Sequence, residues 1–159
     1  MTAIQFRFAK KTEVPLILQF IRELAEYEGL IEEVIATEEL LQEWLFEKKT
    51  AEVIFGVYEN QIVGFALFFH NFSTFLGRSG MYLEDLYVRK KYRGRGFGKA
   101  FLTELAKIGV ARGCGRLEWW CLDSNQPSIA FYLKMEAVPM DEWTVYRIAG
   151  SRLKELAQE

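Results

Sequence analysis

The sequence predicts an α/β fold. Short apolar runs with two-residue periodicity alternate along the chain with longer stretches of helical periodicity. Turn residues such as Gly29, Asn60 and Asp123 punctuate them. The chain has 159 residues, 50% of them hydrophobic and 15% aromatic, which is the size and composition of one domain with its own core. A single domain over residues 1–159 is therefore expected.

Ile4, Phe6 and Phe8 alternate along a first strand over residues 3–8. Thr12 is the expected cap of a first helix, with Glu13 and Pro15 in its opening turn, where a missing N–H costs little. Ile17, Ile21, Leu24 and Glu28 then fall on one helical stripe, and Gly29 ends it. Thr37 is placed to cap a second helix carrying Leu40, Leu41, Trp44 and Leu45. Two apolar runs, 53–58 and 62–69, flank Glu59-Asn60-Gln61 and predict a hairpin. Residues 81–88 form a further strand. A glycine loop, Arg93-Gly94-Arg95-Gly96-Phe97-Gly98, opens a helix bearing Phe101, Leu102, Leu105 and Ile108. Strand 117–122, a turn at Asp123-Ser124-Asn125, helix 126–135 and strand 144–148 complete the series.

The overall charge of −2 conceals a division: residues 1–79 carry 7 Lys/Arg against 12 Asp/Glu, and the remainder carries 13 against 10. The mild acidity argues against a dedicated nucleic-acid binder. The N-terminus, Met1-Thr2-Ala3-Ile4-Gln5-Phe6-Arg7, has no leader pattern, and the longest apolar run, Phe65–Phe69, is too short to cross a bilayer. A cytoplasmic protein free of membrane is expected. Cys114 and Cys121 lack CxxC spacing and are expected as reduced thiols. His70 is the only histidine, so no zinc site is expected, and nothing in the sequence sets that histidine beside a nucleophile.

A strand, a glycine loop and a helix make an anion-binding layout, because glycines let backbone N–H groups approach an anion at a helix N-terminus. A P-loop would need Gly at 93 and a hydroxyl at 100, where the chain has Arg93 and Ala100. The dinucleotide fingerprint GxGxxG fails because position 99 is Lys. The pattern [Arg/Gln]xxGx[Gly/Ala] is met by Arg93, Gly96 and Gly98, and Arg89, Lys90, Lys91, Arg93, Arg95 and Lys99 crowd six cations into eleven residues.

That loop, the preceding Leu83-Glu84-Asp85-Leu86-Tyr87-Val88 and the later Asn125 with Ala130-Phe131-Tyr132 resemble the GNAT superfamily of acyl-CoA-dependent N-acetyltransferases. Glu23-Leu24-Ala25-Glu26-Tyr27-Glu28, Tyr82-Leu83-Glu84-Asp85 and Pro127-Ser128-Ile129-Ala130-Phe131-Tyr132 resemble its spermidine/spermine (diamine) and thialysine acetyltransferase branch. The resemblance implies a mixed, mostly antiparallel sheet of six or seven strands with helices on both faces. Its central parallel strands, near 81–88 and 117–122, should separate to admit the pantetheine arm of acetyl-CoA.

The resemblance also implies roles. Leu86, Tyr87 and Val88 would offer backbone donors to the acyl carbonyl. Arg93, Gly94, Arg95, Gly96, Phe97, Gly98 and Lys99 would hold the pyrophosphate, and Asn125 and Pro127 the pantetheine. Tyr132 would also contact the cofactor and protonate the departing thiolate, which suits a phenol of pKa near 10 facing a thiol of pKa near 8.5. An alkylammonium, with pKa near 10.4, must lose a proton before it attacks. The resemblance assigns that to Glu84 acting through water, since Glu84 and Asp85 should point to opposite faces of a strand. Tyr27 and Glu28, with Glu84, would line the amine pocket, and the acidic residues from Glu23 to Glu33 would attract a polycation. Acetyl transfer to a small-molecule amine by direct attack in a ternary complex is the implied activity, and a homodimer the implied assembly. Two other classes stay open: acetylation of a protein or peptide amine, and a non-catalytic acyl-CoA-binding module. The chain departs from the branch at Ser124, where Trp is usual, and at Glu136, which stands for the glycine of FYxxxGA.

Overall fold

The computed structural model describes residues 3–159, so Met1 and Thr2, the first positions of the expected domain and of the leader reading, lie outside the described residues. The chain divides into two compact units, Met1–Trp120 and Cys121–Glu159.

The first unit is a five-stranded sheet in the order β1-β2-β3-β4-β5, built from β1 (Gln5–Phe8), β2 (Glu52–Tyr58), β3 (Gln61–Ser73), β4 (Arg78–Val88) and β5 (Leu117–Trp119). The first three pairings are antiparallel and the last, β4 with β5, is parallel. The expected hairpin forms with a two-residue turn. Glu59 and Asn60 both have positive φ, at 48° and 61°, which matches the twist of the flanking strands.

Helices α1 (Val14–Glu28) and α3 (Phe97–Ala111) take opposite faces of this sheet, and α2 (Glu38–Leu41) continues into a π-helical turn, Gln42–Glu47. On one face Ile17 and Phe20 of α1 pack with Val53, Phe55, Phe65, Leu67 and Tyr87. Phe20 is wholly buried, stacked on Phe65 at 5.4 Å and tilted against Phe55 and Tyr87. On the other face Phe101 of α3 meets Phe6 edge-on at 4.8 Å and lies over Gly56, where a Cβ would come within 2.8 Å of its ring. Alternation explains the division: Phe55 points to α1 and Gly56 to α3.

Several sequence expectations are corrected here. Thr12 does not cap α1. A 3-10 turn, Lys11–Glu13, precedes the helix, and Glu13 accepts from the Lys10 N–H at 2.9 Å and pairs with both terminal nitrogens of Arg7 at 2.8 and 2.7 Å. Thr37 does cap α2, its Oγ1 accepting from the Leu40 N–H at 3.2 Å. Strand β5 stops at Trp119, three residues short of the expected Leu122, and pairs only with Met81, Tyr82 and Leu83.

The second unit holds α4 (Gln126–Lys134) and α5 (Gly150–Leu156). Asn125 caps α4, its Oδ1 accepting from the Ser128 N–H at 3.3 Å, and Pro127 lies in the first turn. Residues 144–148 carry no strand. Their alternation is real, but a strand needs a ladder, and this unit contains no other strand. The sheet therefore has five strands among the described residues, against the six or seven expected. Helix α5 was not anticipated; Arg152 pairs with Glu155 and Glu159 along it.

Candidate active site

A β-bulge organises the end of β4. Asp85 pairs with Leu67, but Phe68 pairs with Leu83, which leaves Glu84 as the extra residue of the bulged strand. Two side chains register the consequence. Met81, before the bulge, approaches Gly109 of α3, whereas Tyr87, after it, packs in the α1 core. An even separation on a regular strand would put both on one face. The bulge thus breaks the regular alternation on which the opposite-face expectation for Glu84 and Asp85 rests.

The bulge also marks where β4 loses β5, since the parallel ladder ends at Leu83. Residues 84–88 have no ladder partner on that side among the described residues, so the expected opening between the parallel strands begins here. The orientation of the free groups follows from the remaining ladder. Arg89 N–H donates to Val63 O at 2.9 Å. N–H groups of alternate residues face the same neighbour, so those of Tyr87 and Asp85 also face β3. The N–H groups of Leu86 and Val88 therefore face the opening. Of the three residues expected to present donors there, Tyr87 instead directs its N–H into the sheet.

Arg93 lies at this opening. Its Nε donates to Val88 O at 2.8 Å, and its guanidinium lies 4.7 Å from the Tyr27 ring centroid and 5.4 Å from that of Tyr87. The loop behind it turns through Gly94 and Gly96, with φ of 76° and 79°, a region costly for residues with a Cβ. Gly96 stands at the N-cap of α3 and offers no side chain to cap it. The first N–H groups of a helix have no partner within it. Those of Phe97, Gly98 and Lys99 therefore form an anion-binding end with favourable partial charge. Phe97 is buried against Tyr58 at 5.0 Å and anchors the turn, while Arg95 lies over Tyr58 and Tyr92. The residues present fit an acyl-CoA diphosphate in chemistry and in backbone conformation.

The carboxyls nearby are not equivalent. Glu84 is exposed in the bulge and Asp85 is half-buried. Burial, then the charges of Glu84 and Glu28, push the Asp85 carboxyl up to about 7. Glu28, at the exposed end of α1, is also pushed up, by partial burial. Asp85 is thus a carboxyl titrating near neutrality beside two expected site residues, a role that regular strand alternation in the sequence does not reveal. Glu23 and Arg89, assigned to an acidic substrate rim and a phosphate cluster, are instead joined in a half-buried ion pair at 3.1 Å.

In the second unit the expected Asn125 and Tyr132 are set by α4, with Tyr132 two turns beyond the cap. The helix closes with Ala137 N–H on Tyr132 O at 3.1 Å and Glu136 N–H on Leu133 O at 3.0 Å. This double bond pattern needs a left-handed residue, and Glu136 supplies it with φ of 64°. Glu136, where the branch resemblance has a glycine, thus adopts a conformation that glycine takes readily.

His70 does have a thiol beside it: Cys114 Sγ lies 3.6 Å from Nδ1. The tautomer rules out a base there. Arg112 can only donate, so Nε2, at 3.0 Å, accepts, and Nδ1 carries the proton and donates to Gly80 O at 3.1 Å.

The mixed α/β sheet, its interrupted parallel pair and its glycine-led helix belong to an acyltransferase, as the family match shows. The model of the Acetyltransferase (GNAT) family matches residues 17–136, and the chain belongs to that family. It is 34% identical over 169 residues to thialysine N-epsilon-acetyltransferase of Bos taurus, covering 99% of each chain. It is 31% identical over 198 residues to L-ornithine N5-acetyltransferase NATA1 of Arabidopsis thaliana, covering 96% of this chain and 87% of the relative. Among solved structures, an integron cassette protein from the mobile metagenome of V. cholerae superposes with a TM-score of 0.81 at 28% identity, covering 98% of each chain. A protein of Clostridium acetobutylicum described as a predicted acetyltransferase and solved with acetyl-CoA shares the fold, with a TM-score of 0.74 at 18% identity over 91% of this chain and 96% of that one. No helix among the described residues is long and apolar enough to cross a membrane.

Proposed function

We propose that this enzyme transfers the acetyl group of acetyl-CoA to a primary amine of a small molecule, a polyamine, diamine or thialysine-like amine, by direct attack in a ternary complex. The open end of β4 carries the reading. Leu86 and Val88 turn N–H groups toward the opening, Arg93 binds the Val88 carbonyl there and leads into the glycine loop that opens α3, and the carboxyls of Asp85, Glu84 and Glu28 interact beside it. Preorganised donors aimed at a developing oxyanion are worth roughly 3–4 kcal/mol in the transition state.

In the proposed reaction the amine nitrogen attacks the thioester carbon and the carbon–sulfur bond breaks. Glu84, through water, takes one proton from the alkylammonium before attack. After attack Tyr132 gives a proton to the thiolate, and the second nitrogen proton, released as the amide forms, passes through water to restore the Tyr132 phenol. Asn125 and Pro127 hold the pantetheine, and Tyr27 and Glu28 bind the amine. The bovine and Arabidopsis relatives are named for thialysine and ornithine, which supports a small amine bearing a terminal amino group. The branch resemblance supports a cytoplasmic homodimer acting as one catalytic domain, checked by sedimentation. The test is a panel of spermidine, diamines, thialysine, ornithine and peptides with acetyl-CoA, reading thiol release. Release with free diamines or basic amino acids is expected. Release with peptides alone would transfer the activity to protein acetylation, and acetyl-CoA binding with no release would make the chain a binding module.

A further inference from the structure

The segment that turns Leu86 and Val88 N–H groups toward the opening is held from behind by the side chains of Glu23, Tyr87 and Arg89. Glu23 of α1 receives two parallel hydrogen bonds from Arg89, Nε to Oε1 at 3.2 Å and a terminal nitrogen to Oε2 at 3.1 Å. The Tyr87 hydroxyl donates to the same Oε1 at 3.4 Å. The Arg89 guanidinium lies 4.6 Å from the centroid of the buried Phe20 ring, so it is sandwiched between a carboxylate and an aromatic face. Tyr87 is itself 9% exposed and part of the α1 core. Residues 87 and 89 thus point to α1, on either side of Val88, and both are bound to one carboxylate. Burial, and then the charge of Glu23, push the Tyr87 phenol up, so it stays a neutral donor at working pH.

We infer that Glu23 is a positioning residue for acyl transfer: by fastening Tyr87 and Arg89 to α1 it fixes the β4 end whose Leu86 and Val88 N–H groups receive the acyl carbonyl. The need for such a fastening follows from the ladder. Residues 84–88 have β3 on one side only, and the bulge at Glu84 interrupts even that pairing. A strand end bonded on one side is free to twist, and displacing a reacting geometry by about 1 Å costs on the order of 100-fold in rate. A paired fork of this kind resists twisting because both guanidinium and carboxylate are planar. The same carboxylate lies one helical turn before Tyr27, so α1 locates the amine-binding residues and the acyl-binding strand from a single support. Glu23 touches no reactant in this account, and its effect passes entirely through the backbone of 86–88.

The inference rests on the acetyl-transfer reading for its kinetic consequence but not for its structural one, so two measurements separate them. In hydrogen exchange, Glu23→Ala and Arg89→Ala are each expected to accelerate a peptide covering 84–89 at least tenfold while leaving one covering 53–58 unchanged. Equal exchange in the 84–89 peptide would overturn the inference whether or not the amine is known. In turnover with an accepted amine, both variants are expected to lose about tenfold in kcat with the KM for acetyl-CoA within twofold. The double variant should lose no more than either single one. The exchanged pair, Glu23→Arg with Arg89→Glu, should recover at least half of the lost kcat. Unchanged kcat, or additive losses in the double variant, would overturn it. Failure of the wild type on every amine would instead overturn the acetyl-transfer reading and leave the exchange result to decide the clamp.

Discussion

The guanidinium of Arg93 covers the ring of Tyr27 at 4.7 Å while its Nε holds the carbonyl of Val88 at 2.8 Å. One side chain of the glycine loop thereby bridges the α1 residue proposed to bind the amine and the strand proposed to bind the acyl group. Loss of a charged hydrogen bond costs about 1.5–3 kcal/mol. Arg93→Ala is therefore expected to raise the KM of both acetyl-CoA and the amine by tenfold or more, whereas Lys99→Ala raises that of acetyl-CoA alone. Arg93→Lys should not rescue the amine term, because an ammonium cannot donate to Val88 O and lie flat on an aromatic ring together. Initial-rate kinetics with each substrate varied in turn measure the difference.

Asp85 gives stability a pH dependence of known sign. Its folded carboxyl titrates at about 7 against an ordinary 3.8. Between those values the folded state holds a proton that the unfolded state has lost, so the stabilisation is complete below about pH 4 and disappears as pH rises to 7. Asp85→Asn should flatten that slope and stabilise the enzyme at pH 8 by an amount on the order of 2 kcal/mol. Urea unfolding at pH 5 and pH 8 tests this. Glu13 works in the other direction in a separate window. Bonded to Arg7 and held at about 2, it contributes stability above its ordinary pKa that is lost as pH falls toward 2.

Tyr132→Phe keeps the Tyr132 carbonyl that closes α4, and circular dichroism checks its fold before kinetics are read. If Tyr132 supplies the leaving-group proton, kcat falls roughly 10²–10⁴-fold with the KM for acetyl-CoA little changed. Full turnover of the variant at saturating acetyl-CoA would remove the role.

Glu136 adopts φ of 64° at the end of α4 and bears a Cβ in a conformation that costs about 1–2 kcal/mol. Glu136→Gly removes that cost but adds freedom to the unfolded chain, so a net gain of about 0.5–1 kcal/mol is expected. A rise in thermal midpoint with unchanged kinetics is the outcome that checks it.

Features fixed by local chemistry were legible in the sequence. Glu59 and Asn60 form the hairpin turn they suggest, Gly29 ends α1 with φ of 73°, Asn125 and Thr37 cap their helices, and Gly96 opens α3. Features that depend on a neighbour were not. Residues 144–148 alternate like a strand but have no ladder, and α1 is entered through the Arg7–Glu13 pair rather than a Thr12 cap. The bulge at Glu84 is set by register against Phe68 and Leu67, which lie some seventeen residues earlier, and no pattern within 81–88 announces it. For the same reason Asp85 and the Glu23–Arg89 pair could not be found: each gains its meaning from a residue on another element.

A sheet ordinarily keeps its unsatisfied edges at its two margins, where they invite other strands. Here, among the described residues, a further edge from Glu84 to Val88 opens where the fourth strand runs on past the end of the fifth. Five residues of strand measure about 16 Å at roughly 3.3 Å each. That length would act as a gauge: a slender group lying along the strand could meet the alternate N–H groups of Leu86 and Val88, and a compact one could reach fewer of them. The third strand pairs with the fourth along this same stretch as far as the bulge, so lengthening or shortening the gauge would require moving the bulge.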